Sequence, residues 1–166
     1  MRLFLSIVSW NSETHLKVLL PKLISASSGL AKIFLFDNAS TDDSVKIAKE
    51  LGVEVFASSV NIGFTGGQNE GVRRFLEDTS YEIFCTVNPD IDLDRETLVR
   101  LATIPHDVVT PKILRLDNNF ERTNIIDAAG MILNSSLRHL DRGSNEVDRG
   151  QYDKEEIVFG GTGAFF

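Results

Sequence analysis

One cysteine, four prolines and one tryptophan in 166 residues leave this sequence little covalent or rigid scaffolding. Cys85 has no second thiol to pair with, so no internal disulfide forms. Its place in the apolar run Ile83-Phe84-Cys85 marks a small buried hydrophobe rather than a nucleophile, and a reducing compartment fits. Positive charge is in deficit, 17 Lys and Arg against 24 Asp and Glu, for a formal charge of −7. Such a surface repels a polyphosphate backbone and argues against general nucleic-acid binding, so any phosphate must be met by local devices. No stretch approaches the roughly 18 apolar residues that cross a bilayer, which leaves peripheral contact as the expected limit of any membrane association. The run Leu3 to Trp10 passes into Asn-Ser-Glu without a small-residue cleavage pattern and reads as a strand rather than a signal. The remaining composition, 42% apolar and 25% charged with 12 glycines, is that of a folded globular domain. Length, with no internal repeat and no low-complexity linker, predicts one domain over 1–166.

Apolar periodicity supplies the architecture. Leu3 to Val8 and Ile33 to Phe36 are nearly unbroken β-prone runs, as expected of strands covered on both faces. Between them Leu16, Leu19, Leu20, Leu23 and Ile24 recur at helical spacing, with Pro21 predicted to kink or restart that helix. Thr41-Asp42-Asp43-Ser44 supplies N-cap chemistry for a helix that Gly52 stops, and Val53 to Phe56 is a short third strand. A glycine-rich passage from Asn61 to Gly71 leads into a helix, Ile83 to Val87 is a fourth strand, and a further helix lies around Glu96 to Ala102. This alternation predicts an α/β fold with a mostly parallel central sheet and helices on both faces. From Val108 the rhythm changes. Val108 to Thr110 and Ile125 to Leu133 read as edge or antiparallel strands, and Leu137 to Lys154 as a polar, mobile loop.

In an open α/β sheet, ligands bind beyond the carboxyl ends of the strands, near the point where strand order reverses. Those ends are Ser9-Trp10-Asn11, Asp37-Asn38-Ala39-Ser40 and Asn88-Pro89-Asp90-Ile91-Asp92. Together they would form an acidic cleft suited to a divalent cation. Taken singly, Asp37 and Asp42 could equally cap a helix, and Asp90 and Asp92 occupy a turn. Asp90, Asp92 and Asp94 fall at every second residue, so an extended backbone would project them to one side, where they could hold Mg2+ or Mn2+ against phosphate oxygens. An EF-hand loop is discounted, since no Gly stands at its sixth position and no Glu at its twelfth. The stretch Asn61 to Gly71 opens a helix whose free amides can receive a nucleotide, or its glycines only let that helix pack closely on the sheet. A Rossmann dinucleotide fingerprint should follow the first strand, where Trp-Asn-Ser stands instead, and the Walker ending is absent. His15, His106 and His139 show no metal-ligand spacing and read as surface or structural. Trp10 could stack on a base or sugar, or belong to the core.

The ordered set Val8-Ser9-Trp10-Asn11-Ser12, Asp37-Asn38-Ala39-Ser40-Thr41-Asp42, Asn61 to Gly71, Asn88-Pro89-Asp90 and Gly161-Thr162-Gly163-Ala164-Phe165-Phe166 spans nearly the whole chain. It resembles the inverting nucleotide-sugar glycosyltransferases of family 2, with the GT-A fold, and within them the rhamnosyltransferase-like branch. The resemblance implies that Ser9, Trp10, Asn11 and Asp37 line the pocket for the donor's base and ribose, with Asp37 accepting a hydrogen bond from the base. It implies that Asn61, Gly66, Gly67 and Asn69 lie beside the nucleotide, with Asn69 the side chain reaching it. Asn88-Pro89-Asp90 stands in place of the family's metal-binding Asp-x-Asp. Asp90 is thus the implied ligand of Mg2+ or Mn2+ and Asp92 its helper, the first acid being Asn as is usual in that branch. Gly161 to Ala164 resemble the strand under sugar and acceptor.

The implied partners are a nucleoside-diphosphate sugar donor and a glycan or lipid-linked glycan acceptor. The implied reaction is hexosyl or deoxyhexosyl transfer with inversion in cell-surface polysaccharide synthesis, in the cytoplasm or at the inner face of the membrane. In such enzymes the catalytic base lies in an acidic motif beyond the Gly-Ala strand, and this sequence stops at Phe166. The expectation is therefore a donor-binding half that binds a nucleotide sugar and transfers it slowly at best. The alternatives are a non-catalytic nucleotide-sugar-binding module and, more remotely, a Rossmann-type oxidoreductase.

Overall fold

The computed structural model describes residues 2–166 and divides into two compact units, one reaching to Pro105 and the other His106–Phe166. The boundary falls where the strand-helix rhythm of the sequence stops. In the first unit, β1 (Leu3–Ser9), β2 (Ala31–Asp37), β3 (Glu54–Ala57) and β4 (Ile83–Val87) form a parallel sheet in the order β3-β2-β1-β4. β1 is central and buried along its whole length, which is why its run reads as unbroken hydrophobicity.

The chain steps outward from β1 to β2 to β3 through α1 (Glu13–Ser27) and α2 (Ser44–Glu50), then returns through α3 (Gly63–Glu77) to β4 on the other side of β1. Parallel crossovers are right-handed as a rule, which sets α1 and α2, in contact with each other, on one face of the sheet and α3 on the opposite one. α4 (Arg95–Leu101) follows β4 and packs on α1. The reversal of direction leaves a switch point between β1 and β4, where a ligand crevice is expected at the carboxyl ends of the strands.

α3 lies close on the sheet because it presents glycine there. A Cβ on Gly67 would stand 2.8 Å from Val8 Cγ2 and 2.9 Å from Phe36 Cδ1, and one on Gly71 would stand 2.1 Å from Ser6 Oγ. Beneath α3, Phe4, Val8, Phe34 and Phe36 form a buried cluster, with Phe75, Tyr81 and Phe84 packed against it. α1 runs through Pro21 without the restart that is one of the two expectations there. The proline sits on the exposed side, while Leu16, Leu19, Leu20 and Leu23 are buried, so tertiary burial holds the helix across the missing donor.

The second unit is built of two hairpins, β5 (Ile113–Leu116) with β6 (Arg122–Ala128) and β7 (Met131–Leu133) with β8 (His139–Asp141), both antiparallel. Val108 to Thr110 carry no strand. The segment Ile125 to Leu133 spans two strands parted at Gly130, whose φ of +78° suits glycine. The stretch expected to be a polar loop is tied down instead. Asn145 N–H donates to the Ile126 carbonyl at 3.0 Å, Ile126 N–H to Glu146 at 2.9 Å and Asp148 N–H to Asn124 at 2.7 Å. Lys112 pairs with Asp148 at 2.7 Å and also with Asp153, and Arg142 donates to the Ala129 carbonyl at 2.8 Å with its guanidinium over the Tyr152 ring. These ties join residues far apart in sequence, which composition does not reveal. Gly161 to Ala164 form no strand. Among the described residues no helix is long and apolar enough to cross a membrane.

Candidate functional site

A cleft of about 460 Å³ opens in the first unit at the switch point. β1 contributes Val8 and the residues after it, Trp10, Asn11 and Ser12, and α1 adds His15 from its first turn. The end of β2 contributes Asn38, the start of α3 contributes Asn61, Gly63 and Phe64, and the end of β4 contributes Asn88, Pro89 and Asp90. Trp10 is 60% exposed and Phe64 44% exposed, so both line the cleft rather than fill the core.

Side chains knit these strand ends together. Asn38 N–H donates to the Ser9 carbonyl at 2.8 Å, and Asn38 Oδ1 accepts the Ile62 N–H at 2.7 Å, joining β1, β2 and the start of α3. Asn11, at φ +49°, accepts the Thr41 N–H at 2.8 Å and donates its own N–H to Ser40 Oγ at 2.9 Å. Asp42 accepts the Glu13 N–H at 3.0 Å and the Ser44 N–H at 3.0 Å, bridging the starts of α1 and α2. Burial raises the Asp42 pKa, but hydrogen bonds from the Ser44 hydroxyl and the Ser44 and Glu13 amides outweigh it and hold the carboxyl below its usual range. A network of this kind pre-organises the walls of a binding site.

Of the residues singled out from the sequence, Trp10, Asn11, Asn61, Asn88 and Asp90 come together in the cleft. Ser9 and Asp37 do not line it. They are side by side in the β1–β2 register, 0% and 1% exposed, and Asp37 accepts the Ser40 N–H at 2.9 Å and the Ser40 hydroxyl at 2.5 Å. Strand alternation explains the split. Val8 faces α3 together with Phe36, and Asn38, two residues beyond Phe36, continues that side, so Ser9 and Asp37 face the other way. Gly67 is buried against the sheet, Gly66 faces Ile62, and Asn69 is exposed on α3 outside the cleft lining.

The aspartates after β4 do not project to one side. Pro89 and Asp90 lie in a turn that aims Asp90 at the cleft, Asp92 forms an ion pair with Lys22 at 3.7 Å, and Asp94 caps α4 by accepting the Thr97 N–H at 2.7 Å. Asn38, Ser12, Gly63 and Phe64 line the cleft and lie within stretches the sequence singled out without giving them a role, and His15, read from the sequence as surface or structural, also lines it. Period-two alternation would have favoured Asn38 over Asp37, and the i, i+3 spacing of Ser12 and His15 puts both on one side of the first helical turn. Cys85 is buried and its thiol is pushed up to about 12, so it is an inert core residue.

The sequence profile of glycosyl transferase family 2 matches residues 5–153. The chain belongs to this family. A low-salt glycan biosynthesis hexosyltransferase of Haloferax volcanii, Agl10, is 30% identical over 112 residues, covering 65% of this chain and 35% of that protein. The mannosyltransferase PcManGT of Pyrobaculum calidifontis, solved with GDP-Man and Mn2+, superposes with a TM-score of 0.58 at 16% identity over 69% of this chain and 36% of its own. TarS of S. aureus, residues 1–349 with UDP-GlcNAc, gives 0.51 at 21% identity over 61% of this chain and 30% of its own. At such identities the solved structures speak to the fold, and this family 2 chain has the GT-A type α/β architecture. The aligned part of the chain spans about a third of the length of these relatives.

Proposed function

We propose that this family 2 domain binds a nucleoside-diphosphate sugar in the strand-end cleft. We further propose that it serves the transfer of a hexosyl or deoxyhexosyl group, with inversion, to a glycan or lipid-linked glycan acceptor in cell-surface polysaccharide synthesis. The observation that carries this reading is the cleft itself, set at the switch point and walled by exposed aromatics and fixed asparagines. The names of the relatives support it, since Agl10 is a hexosyltransferase and PcManGT and TarS are solved with a GDP-sugar and a UDP-sugar. Asn88-Pro89-Asp90 supports a donor of the rhamnosyltransferase-like branch.

Within this reading Trp10 and Phe64 stack on the base or the sugar. Asn38 takes the base-contacting part that the sequence assigned to Asp37, whose carboxylate is committed to Ser40. Asp90 is the residue that would hold Mg2+ or Mn2+. Among the described residues no group of three or more His, Cys, Asp or Glu side chains is arranged for a metal. A hard cation that shares its coordination sphere with substrate phosphates needs only one or two protein carboxylates, and Asp90, exposed in the cleft, fits that shared role. When bound, the cation supplies charge neutralisation at the departing diphosphate.

Calorimetric titration with UDP-, GDP- and dTDP-sugars, with and without Mn2+, tests the reading. One nucleotide class should saturate the protein, more tightly with Mn2+. No saturable binding by any of them would refute it.

A further inference from the structure

We propose that Arg95 is a positioning residue for Asp90, a role that rests on Asp90 holding the cation of a nucleoside-diphosphate site. Asp90 stands exposed in the cleft on a turn that belongs to no strand or helix. Its place therefore depends on how the chain leaving that turn is fastened. The next four residues, 91–94, carry no helix or strand either, and yet each is held. Ile91 N–H donates to the Asn88 carbonyl at 3.2 Å, Asp92 pairs with Lys22 of α1 at 3.7 Å, Leu93 is buried and Asp94 caps α4.

Arg95 ends the series. Its guanidinium donates to the Ala26 carbonyl at 3.1 Å and to the Ser28 carbonyl at 2.7 Å, at the end of α1. Carbonyls at a helix end lack partners inside the helix, and α1 has no basic residue in its own last turn, so α4 supplies the positive charge that this end favours. The two ties to α1 fall in order: Asp92 meets Lys22 and, further along the chain, Arg95 meets Ala26, about one helical turn further along α1. The segment leaving the Asp90 turn thus runs lengthwise beside α1 as a strap, and from Asp90 to Arg95 it spans at most about 17 Å. A strap so short, fastened at its far end, leaves the Asp90 turn little room to drift. The Lys22–Asp92 pair alone is partly exposed and weak, whereas charge-assisted bonds to two carbonyls make Arg95 the stronger fastener.

Amide hydrogen exchange of the free protein, and calorimetry with UDP, dTDP and GDP with and without Mn2+, test the role in the wild type, Arg95→Ala and Arg95→Lys. In Arg95→Ala the Ile91 amide should exchange faster, because local opening of the strap becomes easier. The enhancement of diphosphate affinity by Mn2+ should fall about tenfold, the low end for loss of the support behind a metal ligand, while affinity without Mn2+ holds within about twofold. Lysine should recover part of both effects, since its ammonium can still donate to a carbonyl. Lys22→Ala should loosen the strap in the same direction, and it is the variant read if Arg95→Ala does not stay folded at the assay temperature. Equal weakening with and without Mn2+, or unchanged exchange at Ile91, overturns the role of Arg95 while the nucleotide site stands. A wild type whose diphosphate binding Mn2+ does not enhance removes Asp90 from the cation and overturns this role with it.

Discussion

Asn38 accepts the Ile62 N–H across the floor of the cleft, and Asp37, one residue earlier, accepts from Ser40 on the other side of the strand. Their substitutions should therefore separate. Asp37→Ala removes the partner of the Ser40 amide and hydroxyl in a partly buried turn, a loss of about 1–2 kcal/mol read in chemical denaturation. Asn38→Ala removes one partner of one backbone amide, costs about 1 kcal/mol, and lowers nucleotide affinity well beyond that effect on stability. A folded Asp37→Ala with wild-type stability and lost binding would reverse the two assignments. At Asp90 the expected effect is on the cation: Asp90→Asn should leave nucleotide binding without Mn2+ intact and abolish its enhancement by Mn2+, because one hard anionic ligand is gone. Persistent enhancement in that variant would remove Asp90 from the metal role.

α3 and the paired starts of α1 and α2 carry the tests that belong to whole elements. Gly67 allows α3 to touch Val8 and Phe36, so Gly67→Ala should overpack that seam by about 1–3 kcal/mol, lower the melting temperature and shift the start of α3 at the cleft. An alanine there with unchanged melting would mean the helix has room to move. Asp42, which ties α1 to α2, has its folded pKa below the ordinary 3.8. Its stabilisation is thus present above that value and drains away as pH falls through and below it. Asp42→Asn should melt lower than wild type near neutrality, with the gap closing in acid; a gap constant with pH would deny the charge any part in the tie. Elements were legible in the sequence where burial is continuous, as in β1 and the covered half of β2. They were not legible in β8, whose three residues are all exposed and leave no apolar pattern. The cleft divided in the same way. Trp10, Asn61 and Asp90 stand just beyond the ends of strands and were legible from that position, whereas Phe64 and His15 enter the cleft by the way helices start over the sheet, which spacing along the chain shows only in part.

For the molecule, a net charge of −7 and a cleft lined, among the described residues, by no Lys or Arg mean that the proposed donor would be held by a few fixed donors and a shared cation. The parallel sheet follows from the strand-helix alternation that the sequence displays, its order β3-β2-β1-β4 from the structure, while the hairpins of the second unit depend on pairings between distant, half-exposed residues. The central claim is that the donor sits at the carboxyl ends of the first unit's strands. Amide chemical-shift mapping of the 18.4 kDa chain with the nucleotide sugar selected by calorimetry, in the presence of Mg2+, tests it most directly. The account predicts that the largest shifts fall on Trp10 to His15, Asn38, Asn61 to Phe64 and Asn88 to Asp90. Saturable binding that left those amides unmoved and shifted others instead would contradict it.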